Sequence, residues 1–335
     1  MKKVKALSLF SGGLDSMLAA RVVMEQGIEV YALNFITPFF GHKKRGREVE
    51  AAEEFYKMYG IKALIIDVSQ EYLEVVRNPK YGYGKNFNPC IDCKIFMMKK
   101  AKAIMEEQGF DFVLSGEVLG QRPMSQRRDA LRIIERDSGL DGYLLRPLSA
   151  KHMKPILAEL DGRVDRERLL DFSGRQRRPQ MDLAEKFGIS DYETPAGGCL
   201  LTDPIVSTRI AGLLKGGGEV ETEDVLLLAT GRHFTLPTAM LYVGRNNSDN
   251  MKLKGLVRPG DIVLKTKDVP GPLGMVRKGA SEDDALIAAA ITARYSDAGK
   301  NDTAEVGITV TPGPERVVTV KPMSPEQADG MKTVY

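Results

Sequence analysis

The chain has 335 residues, of which 43% are apolar and 28% are charged, and its formal net charge is +3. No stretch approaches the roughly 20 consecutive apolar residues that a membrane-spanning helix needs, so we predict a protein that does not cross a membrane and lies in the cytoplasm. The small net charge does not by itself indicate a nucleic-acid partner. Three cysteines are an odd number for a disulfide framework.

Strand-like and helix-like segments alternate over the first 145 residues. Short aliphatic or β-branched runs predict strands, and segments whose apolar positions repeat about every 3.6 residues predict helices. The predicted strands are residues 4–10, 28–35, 61–68, 112–115 and 143–145, and the predicted helices are 15–26, 46–59, 93–108 and 125–137. This alternation predicts an α/β fold, a parallel sheet with helices on both faces and a ligand site beyond the carboxyl ends of the strands.

The rest of the chain has a different pattern. Two short predicted helices, at 165–172 and 178–187, belong to a cysteine-bearing extension of the first domain over about 150–215, which gives that domain the bounds 1–215. The pattern then changes to strands at 239–243, 261–265, 307–310 and 316–320, interrupted by one helix at 282–295. This predicts a small α+β domain over 230–335, with the boundary between residues 215 and 232.

A glycine-rich loop, SGGLDS at residues 11–16, joins the first predicted strand to the first predicted helix. Gly12 and Gly13 permit positive φ and a close approach of the backbone, and the start of a helix offers N–H groups and a positive dipole end to an anion. Ser11 and Ser16 add hydroxyl donors. The loop therefore predicts a phosphate site, and a plain strand-to-helix turn is the alternative.

The loop matches neither the Walker A pattern nor the dinucleotide pattern GxGxxG. It resembles the PP-loop of ATP pyrophosphatases, whose SGGxDS pattern is present in full. That resemblance implies an adenine nucleotide alpha hydrolase-like (HUP) fold, ATP as cofactor, and transfer of AMP to a substrate oxygen with release of pyrophosphate. Asp15, whose carboxylate repels phosphate, is interpreted as a catalytic residue that orients Mg²⁺ or the attacking group.

The cysteines lie in two segments, NPCIDC at 88–93 and PAGGC at 195–199. Cys90 and Cys93 fall near a predicted helix start, where a thiolate is favoured electrostatically. Together with Cys199 they are one ligand short of a closed zinc site, but they would suit a 4Fe-4S cluster with one open iron. A redox pair of Cys93 and Cys199, one of them carrying a persulfide, is the second interpretation, and structural cysteines are the third.

Residues 1 to about 200 resemble the PP-loop enzymes that make 4-thiouridine and 2-thiouridine in tRNA. SGEVLGQRPMSQ, residues 115–126, is similar to the TGExLGQ segment of 4-thiouridine synthases, and the cysteine segments are similar to those of 2-thiouridylases. The resemblance implies tRNA or another RNA as substrate, a sulfide or persulfide carrier as sulfur donor, and a catalytic role for Cys93 and Cys199. Gly116 and Gln126 would lie against the nucleotide, and Asn34 and Lys151 complete the expected ATP-binding set.

Synthases of 4-thiouridine usually carry a THUMP-type RNA-binding domain before the PP-loop, whereas the first strand here is expected to begin at Val4. The C-terminal third resembles the RNA-binding domain of the NFACT family instead. Gly244, Arg245, Asn246 and Asn250 would form the polar centre of that domain. RNA binding by this region is the prediction, and a dimerisation or lid domain is the alternative.

These features together predict an ATP-dependent RNA thiolation enzyme of the sulfurtransferase type. An adenylating ligase or amidotransferase of the same fold would use ammonia and would need no cysteines, and a non-catalytic nucleotide- and RNA-binding protein would release no pyrophosphate. A basic run after the second strand, Lys43, Lys44, Arg45 and Arg47, is consistent with phosphate contact at the nucleotide and equally with a solvated loop.

Overall fold

The computed structural model describes residues 3–190, 192, 199–215 and 220–335. Contacts divide the chain into two compact units, Met1–Ser207 and Thr208–Tyr335. This division precedes the glycine-rich segment 216–218, near which the sequence predicts the domain boundary and which lies outside the described residues. Within the described ranges, no helix is both long and apolar enough to cross a membrane.

The first unit alternates strands and helices. Its strands are β1 Lys5–Leu9, β2 Glu29–Ile36, β3 Ala63–Asp67, β4 Phe112–Ser115 and β5 Leu144–Leu145. Its helices are α1 Leu14–Met24, α2 Glu48–Tyr59, α3 Ser69–Arg77, α4 Cys90–Gln108, α5 Arg128–Ser138, α6 Leu157–Leu160 and α7 Arg178–Lys186.

The strands form a parallel sheet in the order β3-β2-β1-β4-β5. Right-handed crossover connections place α1 and α2 on one face of the sheet and α4 and α5 on the other face. The predicted α/β class and parallel sheet are confirmed.

The register of the sheet fixes the position of the glycine-rich loop. Leu9, the last residue of β1, lies opposite Ser115, the last residue of β4, so the carboxyl ends of these two strands are level. Leu9 also lies opposite Leu33 of β2, which continues for three residues to Ile36. The residues that follow these strands therefore emerge at one edge of the sheet, in the crevice where open α/β sheets bind ligands.

Two parts of the first unit differ from the prediction. The helix expected at 165–172 is wrong: the structure has a 3-10 turn at Arg166–Arg168, and the chain then runs extended. Leu170 and Phe172 donate their N–H groups to the carbonyls of Pro147 and Leu148, at 2.9 and 2.8 Å, and these bonds replace those of a helix. Helix α3, which the sequence analysis did not predict, follows β3 directly.

The second unit is an α+β domain. Its helices are α8 Pro204–Lys215, which begins just before the division, α9 Thr222–Leu228, α10 Asn247–Gly255, α11 Glu282–Arg294 and α12 Pro325–Gly330. Its strands are β6 Arg232–Thr235, β7 Met240–Val243, β8 Ile262–Thr266, β9 Gly274–Val276, β10 Ala304–Val310 and β11 Glu315–Val320.

These strands form an antiparallel sheet in the order β11-β10-β8-β9-β7-β6, against which α11 packs. The four predicted strands and the predicted helix α11 are confirmed. Strands β6 and β9 and helix α10 were not predicted, because β6 and β9 are only three to four residues long and α10 has a polar sequence without a clear apolar period.

Candidate nucleotide and sulfur site

The loop between β1 and α1 has the geometry of an anion site. Gly12 has φ +84°, in the left-handed region that favours glycine. Gly13 is the N-cap residue of α1 and has an extended conformation. Among the described residues, no side chain caps this end of the helix. Ser16 Oγ donates to the Gly13 carbonyl at 2.7 Å and lies 3.4 Å from Ser11 Oγ. The first N–H groups of α1 and both hydroxyls thus gather at the carboxyl edge of the sheet.

Gly116 supports this loop from the end of β4. A Cβ atom at Gly116 would lie 2.5 Å from the carbonyl carbon and oxygen of Asp15 and 2.6 Å from the backbone nitrogen of Ser16. These distances are too short for any side chain, so only glycine allows the two segments to pack this closely. Gly116, which the resemblance assigns to the nucleotide site, therefore lies directly against the start of α1.

The Asp15 carboxylate is held by one glutamine of the loop 116–126. Gln121 Nε2 donates to Asp15 Oδ2 at 2.8 Å, whereas Asp15 Oδ1 is buried without a hydrogen-bond partner among the described residues. Gln126 is buried and turns its Oε1 to the backbone N–H of Arg122 at 3.1 Å. The sequence analysis named Gln126 and missed Gln121, because a motif gives no information on which glutamine faces Asp15.

Asn34 and Lys151 already have partners in the protein. Asn34 is buried, donates through Nδ2 to the Phe10 carbonyl at 2.7 Å and accepts from Lys44 Nζ at 2.9 Å. Asn34 thus joins the ends of β1 and β2 beside the glycine-rich loop. Lys151 Nζ donates to the Glu167 carbonyl at 3.2 Å and lies 3.5 Å from the Glu167 carboxylate.

The three cysteines are partly buried free thiols that influence one another electrostatically. Burial raises the pKa of the Cys93 thiol to about 11, against the opposing effect of a hydrogen bond from the Tyr72 hydroxyl. Burial also raises the pKa of Cys199 to about 12. In the protein without ligands, desolvation of the Cys93 thiol therefore outweighs the electrostatic effect expected from the helix start.

Tyr72 on α3 is a site residue that the sequence analysis missed. Its ring is almost fully buried and packs on Phe39 and Phe96 with centroid distances of 5.7 and 5.9 Å. Burial raises the pKa of its hydroxyl, and the Cys93 and Cys199 sulfurs act in the same direction. Tyr72 therefore remains a neutral hydrogen-bond donor among the cysteines. No motif marks it, because it lies on a helix that was not predicted.

The loop 116–126 links the nucleotide loop to the cysteines. Gln121 contacts Asp15, and the next residue, Arg122, acts electrostatically on Cys199 and lowers the pKa of its thiol against the effect of burial. On the other side, the backbone N–H of Leu200 donates to the Phe39 carbonyl at 3.0 Å, which fixes Cys199 near the segment after β2. A reactive group on the nucleotide would thus lie in the same region as the sulfurs.

A buried ion network supports the same loop. Glu117 follows Gly116, and its Oε2 accepts from Arg146 Nε at 3.1 Å, while Arg146 Nη1 lies 3.0 Å from Glu135. Burial would raise the pKa of Glu117, but Lys94 and Arg146 lower it overall. The network fixes the turn after β4 to α5. Lys94 on α4, the helix that carries Cys90 and Cys93, lies 3.9 Å from Glu117 Oε1.

The polar residues of the C-terminal unit have a different geometry. Asn246 caps α10 by accepting from the Asp249 N–H at 2.9 Å, and Asn250 Oδ1 accepts from the Leu273 N–H at 3.0 Å. Arg245 Nε donates to Asp249 at 2.6 Å. Gly244 leaves space for Asn250, whose Oδ1 would lie 2.0 Å from a Cβ atom there. These residues stabilise the packing of α10, so their first role is structural.

The fold and the SGGLDS loop define a nucleotide-binding α/β domain of the PP-loop class. Residues 2–159 match the family described as thiamine biosynthesis protein (ThiI), and residues 231–330 match the NFACT protein RNA binding domain. The first part of the chain is therefore a ThiI-type PP-loop domain, and the last part is an NFACT-type domain. Both resemblances drawn from the sequence are confirmed, and the PP-loop class implies the use of ATP.

Curated relatives are similar to part of this chain. The probable tRNA sulfurtransferase of Thermococcus kodakarensis is 32% identical over 145 residues, which are 43% of this chain and 36% of that protein. The tRNA-specific 2-thiouridylase MnmA of Caldicellulosiruptor saccharolyticus is 28% identical over 254 residues, 68% of this chain and 64% of that protein. The chain thus spans between about a third and just under two thirds of these relatives.

Among solved structures, the U34-tRNA thiolase NcsA from Methanococcus maripaludis with its [4Fe-4S] cluster aligns with a TM-score of 0.35 and 21% identity. The alignment covers 68% of this chain and 71% of that chain.

Proposed function

We propose that this protein uses ATP to activate a uridine carbonyl in tRNA or another RNA and then replaces the oxygen with sulfur. The observation that carries the proposal is the loop 116–126, which contacts Asp15 of the nucleotide loop through Gln121 and acts on the Cys199 thiol through the charge of Arg122. The NFACT-type domain supplies an RNA-binding surface.

The first step takes place at the SGGLDS loop. The α1 N-terminus and the hydroxyls of Ser11 and Ser16 bind the phosphates. Asp15 Oδ1, which is buried and has no hydrogen-bond partner among the described residues, is a suitable ligand for Mg²⁺. The uridine carbonyl oxygen attacks the α-phosphate, the bond to the β-phosphate breaks, and pyrophosphate leaves. The protein contributes by positioning the reactants and compensating charge, and the base then carries AMP as a leaving group.

The second step takes place at the cysteines. Cys90, Cys93 and Cys199 would hold a 4Fe-4S cluster, which would supply the sulfide that displaces AMP from the activated base. Among the described residues, no three Cys, His, Asp or Glu side chains are arranged around a single ion. A cluster does not require that arrangement, because each cysteine binds a different iron. The three mutually interacting thiols therefore fit the cluster, and the Tyr72 hydroxyl would orient the sulfur of Cys93.

The alternative sulfur route uses two of the cysteines. A persulfide on Cys199, supplied by a persulfide carrier, attacks the activated carbon and expels AMP. The Cys93 thiolate then attacks the Cys199 sulfur, which releases the thiolated base and leaves a disulfide between Cys93 and Cys199. An external thiol must reduce this disulfide before the next turnover. Cys90 has no role in this route, which distinguishes it from the cluster.

The test is production of thiolated uridine from unmodified tRNA, ATP and Mg²⁺, with a sulfide donor in one reaction and a persulfide carrier in another, measured by mass spectrometry after anaerobic purification. We expect ATP-dependent product that Cys93→Ser and Cys199→Ser abolish. Product that persists in both variants would contradict sulfur transfer by the cysteines. Cys90→Ser separates the routes: loss of iron and product supports the cluster, and full activity in an iron-free protein supports the persulfide.

A further inference from the structure

The glycine-rich loop contains no basic side chain. Residues 11–16 include neither lysine nor arginine, and Asp15 adds a negative charge beside the place where phosphates would bind. An ATP site of this kind needs a cation from another part of the chain, since backbone N–H groups supply only partial charges. Four basic residues, Lys43, Lys44, Arg45 and Arg47, follow β2.

The structure distinguishes these four residues. Arg45 Nε lies 3.0 Å from Asp67 Oδ2, and Arg47 Nη2 lies 3.2 Å from Glu54 Oε1, so both are in surface ion pairs. Lys43 is exposed. Lys44 is partly buried, and its Nζ donates to Asn34 Oδ1 at 2.9 Å. Of the run, Lys44 is the residue that turns back toward the end of β2.

A tight turn builds this position. Gly41 has φ +74°, and a Cβ atom there would lie 2.7 Å from the Phe35 carbonyl oxygen, so the chain folds back over the end of β2. The 3-10 turn His42–Lys44 follows directly. Asn34 is 7% exposed, and its Nδ2 donates to the carbonyl of Phe10, the residue before Ser11. One amide group therefore separates the Lys44 ammonium from the start of the phosphate loop.

We propose that Lys44 is a phosphate-binding residue of the ATP site and that Asn34 is the positioning residue that holds its ammonium beside the loop. This inference rests on the ATP-binding part of the proposed function. An ammonium group is a compact charge that suits the oxygens of a polyphosphate. Asn34, expected from the sequence to bind ATP, thus acts on the nucleotide through Lys44.

The test compares Lys44→Gln with the adjacent Lys43→Gln, which removes the same charge one residue away. Dissociation constants for ATP and for adenosine are measured by titration calorimetry on the full chain at fixed ionic strength. We expect Lys44→Gln to weaken ATP binding by about 10- to 100-fold and Lys43→Gln by less than about twofold. Adenosine, which lacks phosphates, should bind both variants like the unmodified protein, and Lys44→Arg should recover most of the ATP affinity.

Equal ATP affinity of the two glutamine variants would overturn the role of Lys44. A parallel loss of adenosine binding in Lys44→Gln would also overturn it, because it would indicate a structural role. If the unmodified protein binds no ATP, both this inference and the proposed adenylation are wrong. Tight ATP binding that depends on Lys44, without thiolated product, would count against thiolation alone.

Discussion

Two polar, glycine-containing segments, 116–126 in the first unit and 244–250 in the second, look alike in sequence but differ in the structure. In the first, Gly116 packs on the nucleotide loop, and the Asp15 carboxylate that Gln121 contacts keeps one buried oxygen without a partner among the described residues. In the second, Asn246 and Asn250 accept hydrogen bonds from the backbone around α10. Polar composition therefore does not identify a ligand site. A buried oxygen without a partner at the phosphate loop, such as Asp15 Oδ1, is explained by a ligand that binds there.

The largest predicted effect on catalysis is at Asp15, the residue that the first segment contacts through Gln121. Asp15→Asn keeps the shape of the side chain and its contact region but removes the charge, so we expect the rate of ATP-dependent pyrophosphate release to fall by about 10²- to 10³-fold. The thermal unfolding midpoint should hardly change, because Asp15 Oδ1 has no hydrogen-bond partner among the residues that the structure describes. Stopped-flow pyrophosphate detection and calorimetry test the two halves of this prediction. A strong loss of stability with normal catalysis would contradict it.

In the second unit, we expect substitutions to act mainly on the free energy of unfolding. His233 makes this free energy depend on pH. His233 is buried; its Nε2–H donates to the Thr230 carbonyl at 2.9 Å, and its Nδ1 accepts from the Tyr335 hydroxyl. Burial, with the Arg209 charge, lowers the pKa of His233 to about 4. The unfolded imidazole has a pKa of about 6.5, so unfolding takes up a proton between these pH values.

The contribution of the neutral His233 to the free energy of unfolding is thus complete above about pH 6.5. It decreases by up to about 3 kcal/mol as the pH falls toward 4. Urea unfolding followed by circular dichroism should show a free-energy gap between the unmodified protein and His233→Asn that shrinks over this range. The other two histidines are present in both proteins and cancel. A gap that stays constant from pH 7 to pH 4 would exclude the effect.

A third prediction tests the structural role of the segment 244–250. Asn250→Ala leaves the Leu273 N–H without its acceptor and opens a space beside Gly244, so the second unit should lose about 1–3 kcal/mol of unfolding free energy. The ATP affinity of the first unit should be unchanged. Chemical denaturation and ATP titration on the same preparation are the measurements. Unchanged stability together with weaker RNA binding would instead assign Asn250 to the RNA surface.

The sequence predicts the parts of this molecule that local patterns determine. The strand before SGGLDS, the helix after it and the neighbouring strands follow from apolar periods and from the glycines, and the structure confirms them. Gln121 and Tyr72 could not be found in this way. Gln121 meets Asp15, 106 positions away, and Tyr72 lies on a helix without a clear boundary signal, so both depend on tertiary packing. Side-chain direction, not residue type, separates Gln121 from Gln126.

The smallest predicted effect concerns the Gln121 side chain and the rate of pyrophosphate release. Gln121→Leu removes the hydrogen bond to Asp15 Oδ2 at nearly constant volume, so the carboxylate loses its orientation. Asp15 and Gln121 are partly exposed, so water can replace the lost amide and the fold keeps its stability. A hydrogen bond to a side chain is worth about 1 kcal/mol, which corresponds to an approximately fivefold slower release of pyrophosphate at unchanged stability. Gln126→Leu, the matched variant, instead removes the acceptor of the Arg122 N–H and should lower the unfolding free energy by about 1–3 kcal/mol. If Gln121→Leu lowers stability while Gln126→Leu changes only the rate, Gln126 faces the nucleotide and the assignment of the two glutamines must be reversed.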